Sequence, residues 1–144
     1  MDKAQALQET IRKTIPLSDF MGLEILELSD TAIKVKADGE ANINIHGTAF
    51  AGSLYTTATL CAWALIHSRL PADTMLVLAN AEVKYRKPVL GDLYASAEVD
   101  EKDFADLLQR LEERGKANLE VDVFIPNADA PALVYKARYH CRPN

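Results

Sequence analysis

The sequence is short of several things, and each shortage narrows what the chain can be. Only two of its 144 residues are cysteine, Cys61 and Cys141. No secretory signal precedes them, so they read as free thiols rather than a disulfide, with Cys61 a small buried hydrophobe in an apolar run. The first residues, MDKAQALQETIRKTIP, lack the apolar core of a signal peptide, which makes the cytoplasm the expected location. Positive charge is also scarce. Sixteen Lys and Arg against 21 Asp and Glu leave a formal net charge of −5, and a general nucleic-acid binder needs the opposite field to displace counterions. Residues 41 to 68 contain no Lys, Arg, Asp or Glu at all. That run is too short and too rich in Ser and Thr for a membrane span, which takes about 20 strongly apolar residues. His67 and His140 have no ligand spacing with His46, Cys61 or Cys141, so no metal is expected. No repeat, low-complexity tract or linker interrupts the chain.

What is present suits a single domain over residues 1–144, long enough to bury about two-thirds of its unfolded surface. Ala4, Leu7, Ile11 and Ile15 recur at helical spacing, with Asp2 and Gln5 set as a capping box and Pro16 as a stop, predicting a helix over 2–15. GLEILELS and AIKVKAD alternate around Ser29-Asp30-Thr31, a half-buried hairpin. Asn42 to Gly52 reads as a polar loop. Residues 53–68 read as a helix with apolar residues on nearly every face, which marks a buried helix. Two β-rich stretches follow, MLVLANAEVKYRK and LYASAEVD. In residues 101–114, Phe104, Leu107, Leu108 and Leu111 mark a short amphipathic helix that ends at Gly115 and either caps a pocket or covers a sheet edge. KANLEVDVFI and ALVYKARYHC close the chain as two strands.

One antiparallel sheet and one fully apolar helix have an evident solution: the sheet curls round the helix and buries it. This is an α+β chain with the hotdog arrangement, in which two sheets usually join edge to edge across a dimer axis. A homodimer is therefore expected, with a tetramer open.

The informative stretch is Asn42-Ile43-Asn44-Ile45-His46-Gly47-Thr48-Ala49-Phe50-Ala51-Gly52-Ser53-Leu54, where a polar loop runs into the buried helix. The first amides of a helix lack internal acceptors and carry partial positive charge, and Gly52 and Ser53 let a ligand come close to them. Such donors stabilise a carbonyl oxygen that gains charge. Asn44 either binds ligand or bonds its own loop; Asn42 is a further substrate-binding candidate or a brace that holds the loop. His46 is a candidate base near neutral pH or a second brace. Thr48 is a pocket hydroxyl or a helix-end brace, and Tyr55 faces the pocket or the core. Lys84, Arg86 and Lys87, with Arg69 as a further candidate, form a basic cluster. It is either a solvated strand face or a dock for phosphates or an acidic carrier protein.

Asn42-Ile43-Asn44, Thr48, Phe50-Ala51-Gly52-Ser53 and Trp63, with weaker echoes at Ile15-Pro16, Phe20-Met21, Tyr85 and Pro88-Val89, resemble a stand-alone hotdog family. Its members are thioesterase-like proteins related to the C-terminal domain of YiiD-type proteins, and they include malonyl-acyl carrier protein decarboxylases. The resemblance covers essentially the whole chain. It implies that the substrate is an acyl thioester of coenzyme A or acyl carrier protein, with pantetheine arriving as part of the substrate and no separate cofactor. It also implies that Asn44 is the critical asparagine, donating to the thioester carbonyl.

Many hotdog hydrolases use an acid on the buried helix as base or nucleophile. Here no acid lies between Glu40 and Asp73, so water activation would fall to His46, Tyr55, or a distant acid such as Glu82 or Asp19. Decarboxylation of a malonyl thioester needs no such base, only an oxyanion site and a dry wall, for which Phe50 and Leu54 are candidates. The leading expectation is therefore decarboxylation giving an acetyl thioester for fatty-acid synthesis. Thioester hydrolysis and a non-catalytic acyl or carrier-binding module are the alternatives.

Overall fold

The computed structural model describes residues 1–144. Its first helix, α1 (Lys3–Thr14), is capped by Asp2, whose side chain accepts from the Gln5 amide while Gln5 reciprocates. Leu7 and Ile11 turn into the core. Pro16 does more than end this helix. It opens a second short one, α2 (Pro16–Phe20), because proline's fixed φ and missing N–H suit a first helical position.

The hairpin β1 (Glu24–Leu28) and β2 (Ala32–Ala37) forms as the alternation predicts, with a bulge between Ile25 and Glu27. After the loop come the central helix α3 (Ala51–His67), the long strand β3 (Thr74–Tyr85), β4 (Leu93–Glu98), helix α4 (Glu101–Arg114), β5 (Ala117–Ile125) and β6 (Leu133–Pro143). The six strands form one antiparallel sheet in the order β1-β2-β4-β5-β6-β3. The sheet curves around α3, which packs against β2, β4, β5, β3 and β6. This is the hotdog fold.

α3 begins two residues earlier than the sequence suggests, and it is not apolar all round. Leu54, Ala58, Leu60, Cys61, Ala62, Ala64, Leu65 and Ile66 are buried. Each large aliphatic among them contributes about 1.5–3 kcal/mol by leaving water. Tyr55, Thr59, Trp63 and His67, spaced four apart and so on one face, stay half-buried. That stripe faces β3 and β6. The Tyr55 ring meets Tyr135 edge-on at 5.7 Å. Tyr139 Oη donates to Thr59 O at 2.8 Å, and Trp63 Nε1 donates to Leu76 O at 3.2 Å.

The two edges of the sheet are treated differently. α1 covers β1: Gln8 Oε1 accepts from the Ile25 amide at 2.7 Å, and Arg12 Nη2 donates to Leu23 O at 3.1 Å. At the other edge β3 is twelve residues long with only Leu76 buried. α4 lies on β5 at the C-terminal end of α3, where Arg69 makes a bidentate bond to Glu101 and stacks over Phe104 at 4.5 Å. It covers sheet far from the N-terminus of α3 and does not cap the loop there.

Candidate functional site

Asn42 sets the position of the loop. Its side chain is 4% exposed and Nδ2 donates to Met21 O at 3.0 Å and Asp38 O at 2.7 Å. Its carbonyl accepts from the Phe50 amide at 2.8 Å. One residue therefore ties α2, the end of β2 and the start of α3. The return limb of the loop is held by the Ala49 amide, which donates to Val89 O at 2.9 Å. Behind it two backbones touch. Gly39 packs on Gly91 so closely that an added Cβ would lie 2.6 Å from the Gly91 carbonyl, and the Gly39 amide donates to Asp92 Oδ1 at 2.8 Å.

Asn44 makes four contacts inside the loop. Oδ1 accepts from the His46 amide at 2.8 Å and the Thr48 amide at 3.2 Å, and Nδ2 donates to Thr48 Oγ1 at 2.9 Å and, more weakly, to Ala49 O at 3.4 Å. Thr48 thus acts as a brace through both its amide and its hydroxyl. The His46 ring is exposed with no partner, although its amide is held.

The beginning of α3 is left open. Phe50 is the N-cap residue and gives no side-chain cap. The amides of Ala51, Gly52 and Ser53 donate to no backbone or side-chain acceptor in the chain. Three adjacent N–H groups at the positive end of a seventeen-residue helix form a ready site for a carbonyl or carboxylate oxygen. Phe50, 55% exposed, lays its ring against the face where a Gly52 side chain would be, with Cε2 2.6 Å from an added Cβ. Leu54, expected on the same wall, is instead buried in the core. Tyr55 is half-buried one turn on.

Sequence reasoning missed Tyr85 as a member of this site. Tyr85 Oη donates to Ala51 O at 3.1 Å, and the residue is 50% exposed. Burial, reinforced by the Tyr55 phenol nearby, holds its hydroxyl above the ordinary tyrosine range. The available signal was β3 periodicity: Tyr85 falls on the same face as Val83 and Ala81, which faces α3.

Of the expected basic cluster, Lys84, Arg86 and Lys87 remain exposed and none makes an ion pair. Lys84 stands on the outer face of β3, opposite Val134. The Arg86 and Lys87 amides both donate to Ala132 O. Arg69 does not join them; Glu101 holds it at the far end of α3. The two distant acids are also elsewhere. Glu82 points to the outer face opposite Lys136, and Asp19 sits 3.9 Å from Arg12. Two carboxylates, Glu40 and Asp92, line a small cavity of about 170 Å³ with Ile43, Gly47, Thr48 and Ala49 of the loop. No three His, Cys, Asp or Glu side chains converge as metal ligands would.

A sheet wrapped on one helix, with the amides of that helix left free beside an asparagine loop, is a hotdog domain with an open helix end, and its family supplies the class, a thioester-acting enzyme. A family model described as "Putative thioesterase (yiiD_Cterm)" matches residues 4–143, and the chain belongs to that family, YiiD_C. A crystal structure of a "putative thioesterase" from Shewanella oneidensis is 30% identical, with a TM-score of 0.84 over 97% of each chain. A protein of unknown function from Chlorobaculum tepidum is 27% identical, with a TM-score of 0.90 over 98% of this chain and 94% of that one. A "probable thioesterase" from Pseudomonas aeruginosa, 22% identical with a TM-score of 0.85 over 97% of this chain and 95% of that one, shares the fold.

Proposed function

We propose that the chain decarboxylates a malonyl thioester of coenzyme A or acyl carrier protein, giving the acetyl thioester. The observation that carries this reading is the open end of α3: three unspent amides at Ala51, Gly52 and Ser53 with no carboxylate on the helix beside them. Loss of carbon dioxide sends an electron pair into the thioester carbonyl. Fixed N–H donors stabilise the resulting enolate oxygen, and an adjacent carboxylate would repel both it and the substrate. Asn44 adds a further donor by giving up its long bond to Ala49 O, the weakest of its four. Phe50 supplies the dry wall. Lys84, Arg86 and Lys87, free of ion pairs, receive the phosphates of the pantetheine arm or the acidic carrier.

The working form is a homodimer paired through β3, and two such dimers packing into a tetramer is the larger assembly open to it. The contrast between the covered β1 edge and the open β3 edge supports the pairing, since a long bare edge strand is a template for a second copy. The hydrolytic reading has one observation in its favour beyond the family description: Asp92 and Glu40 line the cavity behind the loop, where a carboxylate could activate water.

The test is incubation with malonyl-carrier protein while acetyl-carrier protein and free carrier thiol are followed together. Acetyl product without free thiol supports decarboxylation. Free thiol without acetyl product makes the protein a hydrolase and overturns the reading. Tight acyl-ligand binding with neither product leaves a binding module.

A further inference from the structure

Decarboxylation leaves a requirement that the oxyanion site does not meet. When the bond between the carboxylate carbon and Cα breaks and carbon dioxide departs, the electron pair remains as the enolate, and Cα must gain a proton to become acetyl. The amides of Ala51, Gly52 and Ser53 hold the oxygen but do not give up protons. His46, the nearest imidazole in sequence, is exposed on the loop.

We propose that Tyr85 is the catalytic acid that delivers this proton. Its hydroxyl is 3.1 Å from Ala51 O, on the first residue of α3, so it sits in the same helical turn as the free amides. Half of the residue is exposed, so a ligand docked on the helix end reaches it without rearrangement of the core. Its present acceptor is expendable, because a helical carbonyl at this position also takes the amide four residues on. The proton passes from Tyr85 Oη to Cα. The phenolate that remains lies at the positive end of α3 and recovers a proton from water. Overall, one malonyl thioester and one proton give one acetyl thioester and one carbon dioxide. Tyr55 lies one turn further along the same face, with no hydrogen-bond partner for its hydroxyl; burial first, and then this neighbouring phenol, raise the Tyr85 hydroxyl above the ordinary tyrosine range.

This inference rests on the decarboxylase reading, and the experiment separates the two. The Tyr85→Phe and Tyr55→Phe proteins are compared with wild type on malonyl-carrier protein, with kcat, KM and thermal midpoint measured. The expected result is a fall in kcat on the order of 100-fold for Tyr85→Phe, as for loss of a general acid, with KM and the midpoint near wild type. The variant also loses the alkaline fall in kcat that wild type shows at a pH above the ordinary tyrosine range, where burial has moved the Tyr85 hydroxyl. Unchanged kcat in Tyr85→Phe overturns the inference and leaves decarboxylation standing, as does a larger loss in Tyr55→Phe. A parallel fall in kcat, binding and midpoint also overturns it, because that pattern belongs to a helix brace. A wild-type protein that forms no acetyl product removes the reading itself.

Discussion

Asn44 is the residue at which loop order and chemistry can be separated by two substitutions. Asn44→Ala removes three good hydrogen bonds, at 2.8, 2.9 and 3.2 Å, plus the long one to Ala49 O. Each neutral bond is worth about 1 kcal/mol net and less where water competes, so the loop loses about 2 kcal/mol. For a chain of this length that corresponds to a drop of about 5 °C in midpoint if the loop melts with the fold. If it opens alone, the midpoint barely moves and amide exchange at Ala49 and Phe50 accelerates instead. Asn44→Asp keeps both acceptor bonds from His46 and Thr48 but cannot donate. It should therefore hold the midpoint within about 2 °C of wild type while losing turnover. Losing one oxyanion donor costs about 3 kcal/mol of barrier, or about 100-fold in kcat. Differential scanning fluorimetry and the acetyl-product assay give the two readings side by side. Wild-type turnover in Asn44→Asp would remove the donor role, and an Asp variant as unstable as Ala would refute the hydrogen-bond accounting.

Asn42→Ala should destabilise more than Asn44→Ala, by about 2–3 kcal/mol, because it removes a buried side chain that ties the Met21 and Asp38 carbonyls together; urea unfolding checks the order. His67, stacked on Trp63 at 4.5 Å, has its pKa lowered by burial, so the unfolded chain binds the proton more readily. Stability is then fully present above the ordinary histidine pKa of about 6.5 and declines as pH falls from there toward the lowered folded value. His67→Phe should flatten the midpoint between pH 7 and 5 relative to wild type. Sedimentation equilibrium should give twice the chain mass, and a monomer at micromolar concentration would refute pairing through β3. Replacing Arg86 and Lys87 together with Ser should raise KM for the carrier substrate, leave kcat in place, and weaken its salt dependence.

The elements were legible wherever a local cause acts. The Asp2–Gln5 capping box, the hairpin around Ser29–Thr31 and the apolar period of 101–114 all formed where their residues put them, because each is decided within a few positions. The start of α3 was misplaced by two residues because Phe50 supplies no capping side chain and Gly52 is a poor helix former, while the amide end is set by a distant clamp, Asn42 on Met21 and Asp38. Leu54 was assigned to the wall and lies in the core because packing against the sheet, not local sequence, decides which face of α3 turns inward. The acids were the hardest to read. Glu82 alternates onto the outer face by strand geometry, while Asp92 reaches the loop only through a contact between segments far apart in sequence. Tyr85 belongs to the same class, since nothing local ties the end of β3 to the first turn of α3.

The touching backbones of Gly39 and Gly91 carry a consequence for how such a chain tolerates change. A library varying every position would return glycine at 39 whatever the selection, because any side chain there collides with a main chain that cannot fold aside. The segment it would displace runs through Val89 to Ala49 and hence to the loop. A defect at 39 would therefore surface as a functional loss at residues it never contacts. Screens that score activity alone would place Gly39 inside the reacting centre; only a structural readout would reveal it as the footing beneath it.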